Sequence, residues 1–592
     1  MRRRMAFACA VLAMATVISG MSAQAANGGF KTSRPTMLTK VKDGVAITPI
    51  LSVGDVFGDS GFRFEAIPDG ISLKTRGRGR VDLYVNHETS KVPFPFGYGL
   101  TPPQDPTASN GESDFDNSQV SQIALNQNSA GALDGSFVIP SSGGFQRFCS
   151  NYLATSKEGF DREILFTNEE SPDYVFRQEE SWPPPLSNEG AEENGVVLAL
   201  DIKSKQYHVI YGMGRHNHEN DVAIPGFDDL VVLSGDDTFT SGPLTDPTSV
   251  TTPPAQLGAS QSQLYSYIAP DTDSLLNDDG ELWAFVSDNT SFDDYYDFVP
   301  GSTQTVSGHF IPVPKNIATG KNSDGSEITS SDVGYPAPPT NGSWQKDLRT
   351  PVATGIDGPQ WVLEYWSQLY NVFDFVRVED IAYDKRPGMG NVVYVVDSGR
   401  GTAPAAAPFF GPGLSTNGRV WKMVFDPNDP TKVTSLSIAV EGDDNPVKTL
   451  NEVHQPDNIE TTQTGLLLTE DPGSSQQFGT ATQGLPNATT ARLWYVPFSG
   501  SPEVVVKVDQ SSDGDAGYDV DGRTDGAWGA WETTGIVDAS AAFGAGAFLI
   551  NVQAHTLWVQ KGPGTDNFPP EGVDFTFKRE GGQLLLLRIP GI

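Results

Sequence analysis

The 592-residue sequence carries 74 acidic against 39 basic residues, a formal net charge of −35. That balance argues against a nucleic-acid partner, because neutralising phosphates takes a basic face, and it favours divalent cations instead. With 38% apolar residues, 62 Gly and 43 Pro, the chain reads as globular, rich in turns and mostly β.

The N-terminus joins Arg2-Arg3-Arg4 to an apolar run from Met5 to about Ile18 and then to Ala23-Gln24-Ala25. This is the pattern of a signal peptide over residues 1–25, with Sec and twin-arginine routes both open. The remainder, 26–592, is expected to be one exported domain, periplasmic or extracellular. Cys149 is then the single cysteine, so no internal disulfide forms. Between Phe148 and Leu153 it reads as a small buried hydrophobe. No later segment has the apolar length of a membrane span.

In chain order, Ile67-Pro68-Asp69-Gly70 reads as a turn, and Val81 to Val85 as a strand ending on Asn86-His87-Glu88. Residues 93–118 are expected to form a loop. Ile164 to Thr167 runs into Asn168-Glu169-Glu170. Val196 to Ile202 and Tyr207 to Tyr211 form a hairpin, followed by Gly214-Arg215-His216-Asn217-His218-Glu219. Leu230 to Leu233 leads to Gly235-Asp236-Asp237, and Glu281 to Val286 to Ser287-Asp288-Asn289. Residues 300–358 lack apolar periodicity and are expected to be an insertion. Trp361 to Phe375 is the best helix candidate. Strands resume at Val392 to Val396, Gly418 to Phe425 and Val433 to Val440. Leu450 to Pro472 then sets His454, Asp457 and Asn458 before Gly465 to Leu468, with Glu470 and Asp471 after it. Further strands run to Ile589, and the last of them would let a ring close by pairing the two chain ends.

Six or seven strand groups at irregular spacing suit an all-β propeller of six or seven blades, with loop insertions and one short helix near 361–375. In such a ring, residues at the ends of distant strands become neighbours. The secondary ligand candidates are Glu88, Asp236, Asp237, Glu470, Asp471 and His454. Carboxylates gathered at one centre need cations to stay ionised, and oxygen-rich sites suit calcium. Each has a plainer reading: Asp236-Asp237 as a turn, His216 as a loop cap. The sequence contains no HExxH, CxxC, EF-hand loop, GxSxG or P-loop.

The ordered set VNHE (85–88), TNEE (167–170), GRHNHE (214–219), SGDD (234–237), GELWAFV (280–286), RVED (377–380) and QPDNI…LLLTED (455–471) resembles the PhoX-type alkaline phosphatases, a family of secreted bacterial proteins. The resemblance covers about residues 60–475. It implies a six-bladed propeller with calcium, and iron as a further candidate, at its axis, hydrolysing small phosphate monoesters. By motif, Glu169, Glu170, Glu219, Glu379 and Asp457 would be metal ligands. Asn168 stands where the family reads cysteine before Glu-Glu, which puts an oxygen ligand suited to calcium in place of a thiolate. A calcium-dependent lactonase or esterase, and a non-catalytic calcium-stabilised binding protein, are the other readings of the same acidic strand ends.

Overall fold

The computed structural model describes residues 28–65, 67–88, 118–171, 174–175, 192–238, 262–338, 357–399, 417–443, 451–471, 489–510, 531–563 and 574–592, and only the backbone at 174–175, 555–563 and 574–580. The expected signal peptide, nearly all of the 93–118 loop and the end of the 300–358 insertion lie outside the described residues. Among those described, no helix is long and apolar enough to cross a membrane.

Six strands start at a common centre: β1 (Pro68–Gly77), β2 (Phe148–Ala154), β3 (His218–Ile224), β4 (Val378–Tyr383), β5 (Pro456–Thr461) and β6 (Glu532–Asp538). Each packs against the next, and β6 packs against β1. From each of them a sheet fans outward by antiparallel pairing. The second strands, such as Val392–Asp397 and Gly465–Glu470, are buried along their whole length, which is why they read as unbroken apolar runs and not as alternating ones. Apolar clusters fill the wedges between sheets; one is built on Phe285, Phe310, Phe373, Phe375 and Trp421.

The arrangement is propeller-like and mostly β, but its separate blades among the described residues do not number six or seven. Four separate blade-like sheets of four or five strands carry β1, β2, β5 and β6, while β3 and β4 end a single nine-stranded sheet. Because β3 and β4 also pack side by side, that sheet curls nearly closed. The cause is one strand, Thr305–Pro312, which bonds to Glu281–Ser287 on one side and Asp429–Glu441 on the other. It lies in the stretch read from sequence as a loop insertion. Its signal is a short alternation in which Val306, Gly308 and Phe310 are buried and Thr305, Ser307 and His309 are exposed.

The expected helix is shorter than its apolar stripe. α1 spans Pro359–Leu369, and Asn371, with φ of 51°, turns the chain so that Phe373 and Phe375 enter the core as irregular backbone. The N-terminal strand Ala46–Ser52 pairs with Asp574–Arg588, and Leu38–Lys40 pairs with Glu503–Val508. Sheets built from the end of the chain are thus completed by its beginning.

Where β6 meets β1 the backbones touch. Gly535 has φ of +60°, and a side chain there would press on the carbonyl of Asp69. Gly61 has a similar φ of +68° and open space around it. Gly61→Ala is expected to cost about 1 kcal/mol, the conformational term alone, and Gly535→Ala roughly 2–4 kcal/mol, because overpacking is added. Denaturant unfolding of the two variants checks this, and equal losses would refute the close approach.

Candidate metal centre

The six inner strands begin alike. The first residue of each pairs with a residue near the end of the second strand of its sheet: Pro68 with His87, Phe148 with Glu169, His218 with Asp236, Val378 with Asp397, Pro456 with Glu470 and Glu532 with Gln553. In five of these pairs the register slips directly after the first pair, between Pro68 and Ile71 in β1 and between His218 and Asp221 in β3, for example, while in β6 it slips only between Thr534 and Val537. A bulge bends its strand and re-aims a side chain. Here the residues delivered at the centre are Asp69, Cys149, Glu219, Glu379, Asp457 and Glu532.

The residue just past three of the paired partners adds Glu88, Glu170 and Asp237, and Asp471 follows Glu470 in the same way. Three groups of ligand atoms lie within 4.8 Å of one another: Asp69, Glu88 and Cys149; Cys149, Glu170 and Glu219; Glu219, Glu379 and Asp457. Cys149 and Glu219 are shared, so the three groups form one continuous cluster. Cys149 Sγ lies 2.6 Å from Asp69 Oδ2.

Neutral polar side chains fix this geometry. Asn86 Nδ2 donates to the carbonyls of Cys149 and Ser150 at 3.0 and 2.9 Å. Asn168 Nδ2 does the same to His218 and Glu219, at 2.9 and 2.7 Å. Asn551 donates to the carbonyl of Asp69. At three joints an asparagine on a second strand therefore holds the bulge of the next inner strand. Ser150 Oγ donates to Glu219 Oε1 at 2.9 Å, and Asn458 Nδ2 donates to Ser150 Oγ at 2.9 Å.

Burial pushes the carboxyls of Asp69, Glu170, Glu219, Glu379, Asp457 and Glu532 above their ordinary range. At Glu219 the charges of Glu170 and Glu379 push the same way. The Cys149 thiol is raised by burial and by Asp69. Two described cations act on this centre: Arg147 opposes the rise at Glu170, and Arg377 donates from Nε and Nη2 to Asp237 at 2.9 Å each, with Nη2 3.1 Å from Glu379. Two guanidiniums do not balance so many carboxylates, and mixed carboxylate and thiol donors at this spacing are a donor set that fits metal cations.

Of the residues expected to converge, Glu170, Glu219, Glu379 and Asp457 do. Glu88 and Asp237 join them, and Asp471 lies 3.9 Å from Arg377. Asn168 reaches the centre only through its grip on β3. Glu169 points away, accepting from the backbone N–H groups of Gln146 and Gly195 at 3.0 and 3.1 Å. Glu470 is bound by Arg492, Trp494 and the backbone N–H of His454. Asp236 faces a different pocket. Asp69, Glu532 and the cation Arg377 were not among the expected site residues, and Cys149 was read first as packing, with replacement of the missing thiolate as the lesser reading; the signal that could have found Asp69 is the match of Pro68-Asp69-Gly70 to Pro456-Asp457-Asn458. No protein-family model matches the chain, and no curated protein matches it.

The raised carboxyls set a pH dependence. Asp380, beside the cluster, is raised by burial from 3.8 to about 7. A carboxyl whose folded pKa exceeds its unfolded value stabilises the fold fully below the unfolded pKa, and that contribution is lost as pH rises through the folded one. In chelator, the thermal midpoint is therefore expected to fall as pH goes from 5 to 8. A midpoint that rises over that window would show the cluster ionising without penalty.

Proposed function

We propose that the protein is an exported, metal-dependent hydrolase of the PhoX type, acting on small phosphate monoesters. The observation that carries the reading is the delivery of Asp69, Cys149, Glu219, Glu379, Asp457 and Glu532 to one centre by six successive strand starts. On this reading the nine-stranded sheet counts as two blades joined by Thr305–Pro312, and the propeller has six.

Asp69, Glu88, Cys149, Glu170, Glu219, Glu379 and Asp457 would hold the cations, calcium at the all-oxygen positions and iron at Cys149. Bound there, such cations neutralise phosphoryl charge and activate an oxygen nucleophile. On this reading Cys149 would supply the thiolate that Asn168 cannot. Arg377 is placed to bind phosphoryl oxygens with the fork that otherwise grips Asp237. The asparagine clamps keep the ligand-bearing backbone from relaxing under charge repulsion, so the site is preorganised before substrate arrives.

The test is turnover of a generic phosphate monoester by full-length mature protein supplied with calcium, iron, both or chelator. A lactone panel is run in parallel. Metal-dependent phosphate release is expected, falling at least about 100-fold in Glu219→Gln while circular dichroism stays unchanged. Lactone turnover alone would replace the reading with the lactonase one. Metal uptake with neither activity would leave a calcium-stabilised binding protein.

A further inference from the structure

A chain of hydrogen bonds between neutral groups ends on Glu219, and its direction is fixed from the far end. It begins at the backbone N–H of Gly535 on β6, which donates to Asn458 Oδ1. A backbone nitrogen can only donate, so this bond settles which end of the Asn458 amide is oxygen. Thr534 Oγ1 lies 2.8 Å from the same oxygen. Asn458 Nδ2 therefore faces Ser150 Oγ, at 2.9 Å, and can only donate to it. With a lone pair engaged in this way, Ser150 turns its proton to Glu219 Oε1, also at 2.9 Å.

The chain crosses the ring. Ser150 is on β2 and Asn458 on β5, and each is the third residue of its strand, one place past the ligands Cys149 and Asp457. Those two strands stand opposite one another, with β3 and β4 between them on one side and β6 and β1 on the other. Ser150 and Asn458 are each 2% exposed and Glu219 1%, so water does not compete for these bonds. The carboxylate they reach is the one whose placement matters most. Glu219 is shared by the group with Cys149 and Glu170 and by the group with Glu379 and Asp457.

We propose that Ser150 and Asn458 are positioning residues that act through Glu219 and set the affinity of the two cation positions that share it. This rests on the metal reading given above. A single hydroxyl donor takes one of the about four lone-pair sites of a carboxylate and leaves the rest for cations, as the outer hydrogen-bond partners of metal ligands do. Because that donor is tied to the opposite side of the ring, Glu219 cannot swing away from Glu170 and Glu379 without breaking a bond across the axis. Ring closure at β6, through Gly535, is thereby coupled to the seating of a ligand on β3.

The test is Ca²⁺ binding to full-length protein stripped with chelator, followed by equilibrium dialysis, with circular dichroism as the check on folding. Calcium is the probe because the group Glu219, Glu379 and Asp457 offers oxygen alone. Ser150→Ala is expected to bind about 10–100-fold more weakly than wild type. Ser150→Thr, which keeps the hydroxyl, is expected to bind like wild type. Asn458→Ala is expected to show a smaller loss, and none beyond that of Ser150→Ala when the two are combined; its loss against wild type is the readout if Ser150→Ala does not fold. Wild-type affinity in Ser150→Ala, a loss in Ser150→Thr equal to that in Ser150→Ala, or additive losses in the double variant would overturn the proposal. Failure of wild type itself to bind calcium would overturn the metal reading, and this inference with it.

Discussion

The mutual repulsion of buried carboxylates at the meeting point of six strands is the constraint on which the rest of the structure depends. Removing an ionised carboxylate from water is unfavourable by several kcal/mol, and neighbouring charges of the same sign add to it. A fold that brings Asp69, Glu170, Glu219, Glu379 and Asp457 together must restrain them against drifting apart. The restraint is local and repeated. A bulge aims the inner residue on five of the six strands, and an asparagine, where present, ties the bulge to the neighbouring sheet.

This division of labour explains why adjacent acidic residues have unrelated roles. Glu169 and Glu170 lie on opposite sides of an extended chain, so one satisfies backbone donors at a loop while the other faces the axis. Glu470 and Asp471 divide in the same way, with Arg492 taking the first. Asp236 and Asp237 go to two different pockets. Of each pair, the residue that pairs with the inner strand is structural or belongs to a side pocket, and the one after it reaches the centre.

Much of this was legible in the sequence because burial on both faces leaves unbroken apolar runs, and acidic pairs at their ends are conspicuous. The β class, the hairpin at 197–210 and the convergence of Glu170, Glu219, Glu379 and Asp457 all rest on that signal. Two contributions were hidden for a physical reason: a bulge breaks the two-residue period just where the inner strand delivers its ligand, so Pro68-Asp69-Gly70 reads as a turn and Cys149 as packing. The strand Thr305–Pro312 was hidden differently, since glycine, serine and proline dilute an alternation carried by two large apolar residues.

The pairing of residues 38–52 with strands from the last hundred residues also bears on the order of assembly. A chain emerging from its N-terminus holds these edges unpartnered until the end of synthesis, because their partners are made last. Such long-range pairing is slow, because the entropy of closing the loop is lost before the contacts form. Closure also sets β6, with Glu532, against β1, with Asp69, so a cation held at that junction would act as a folding partner at this step.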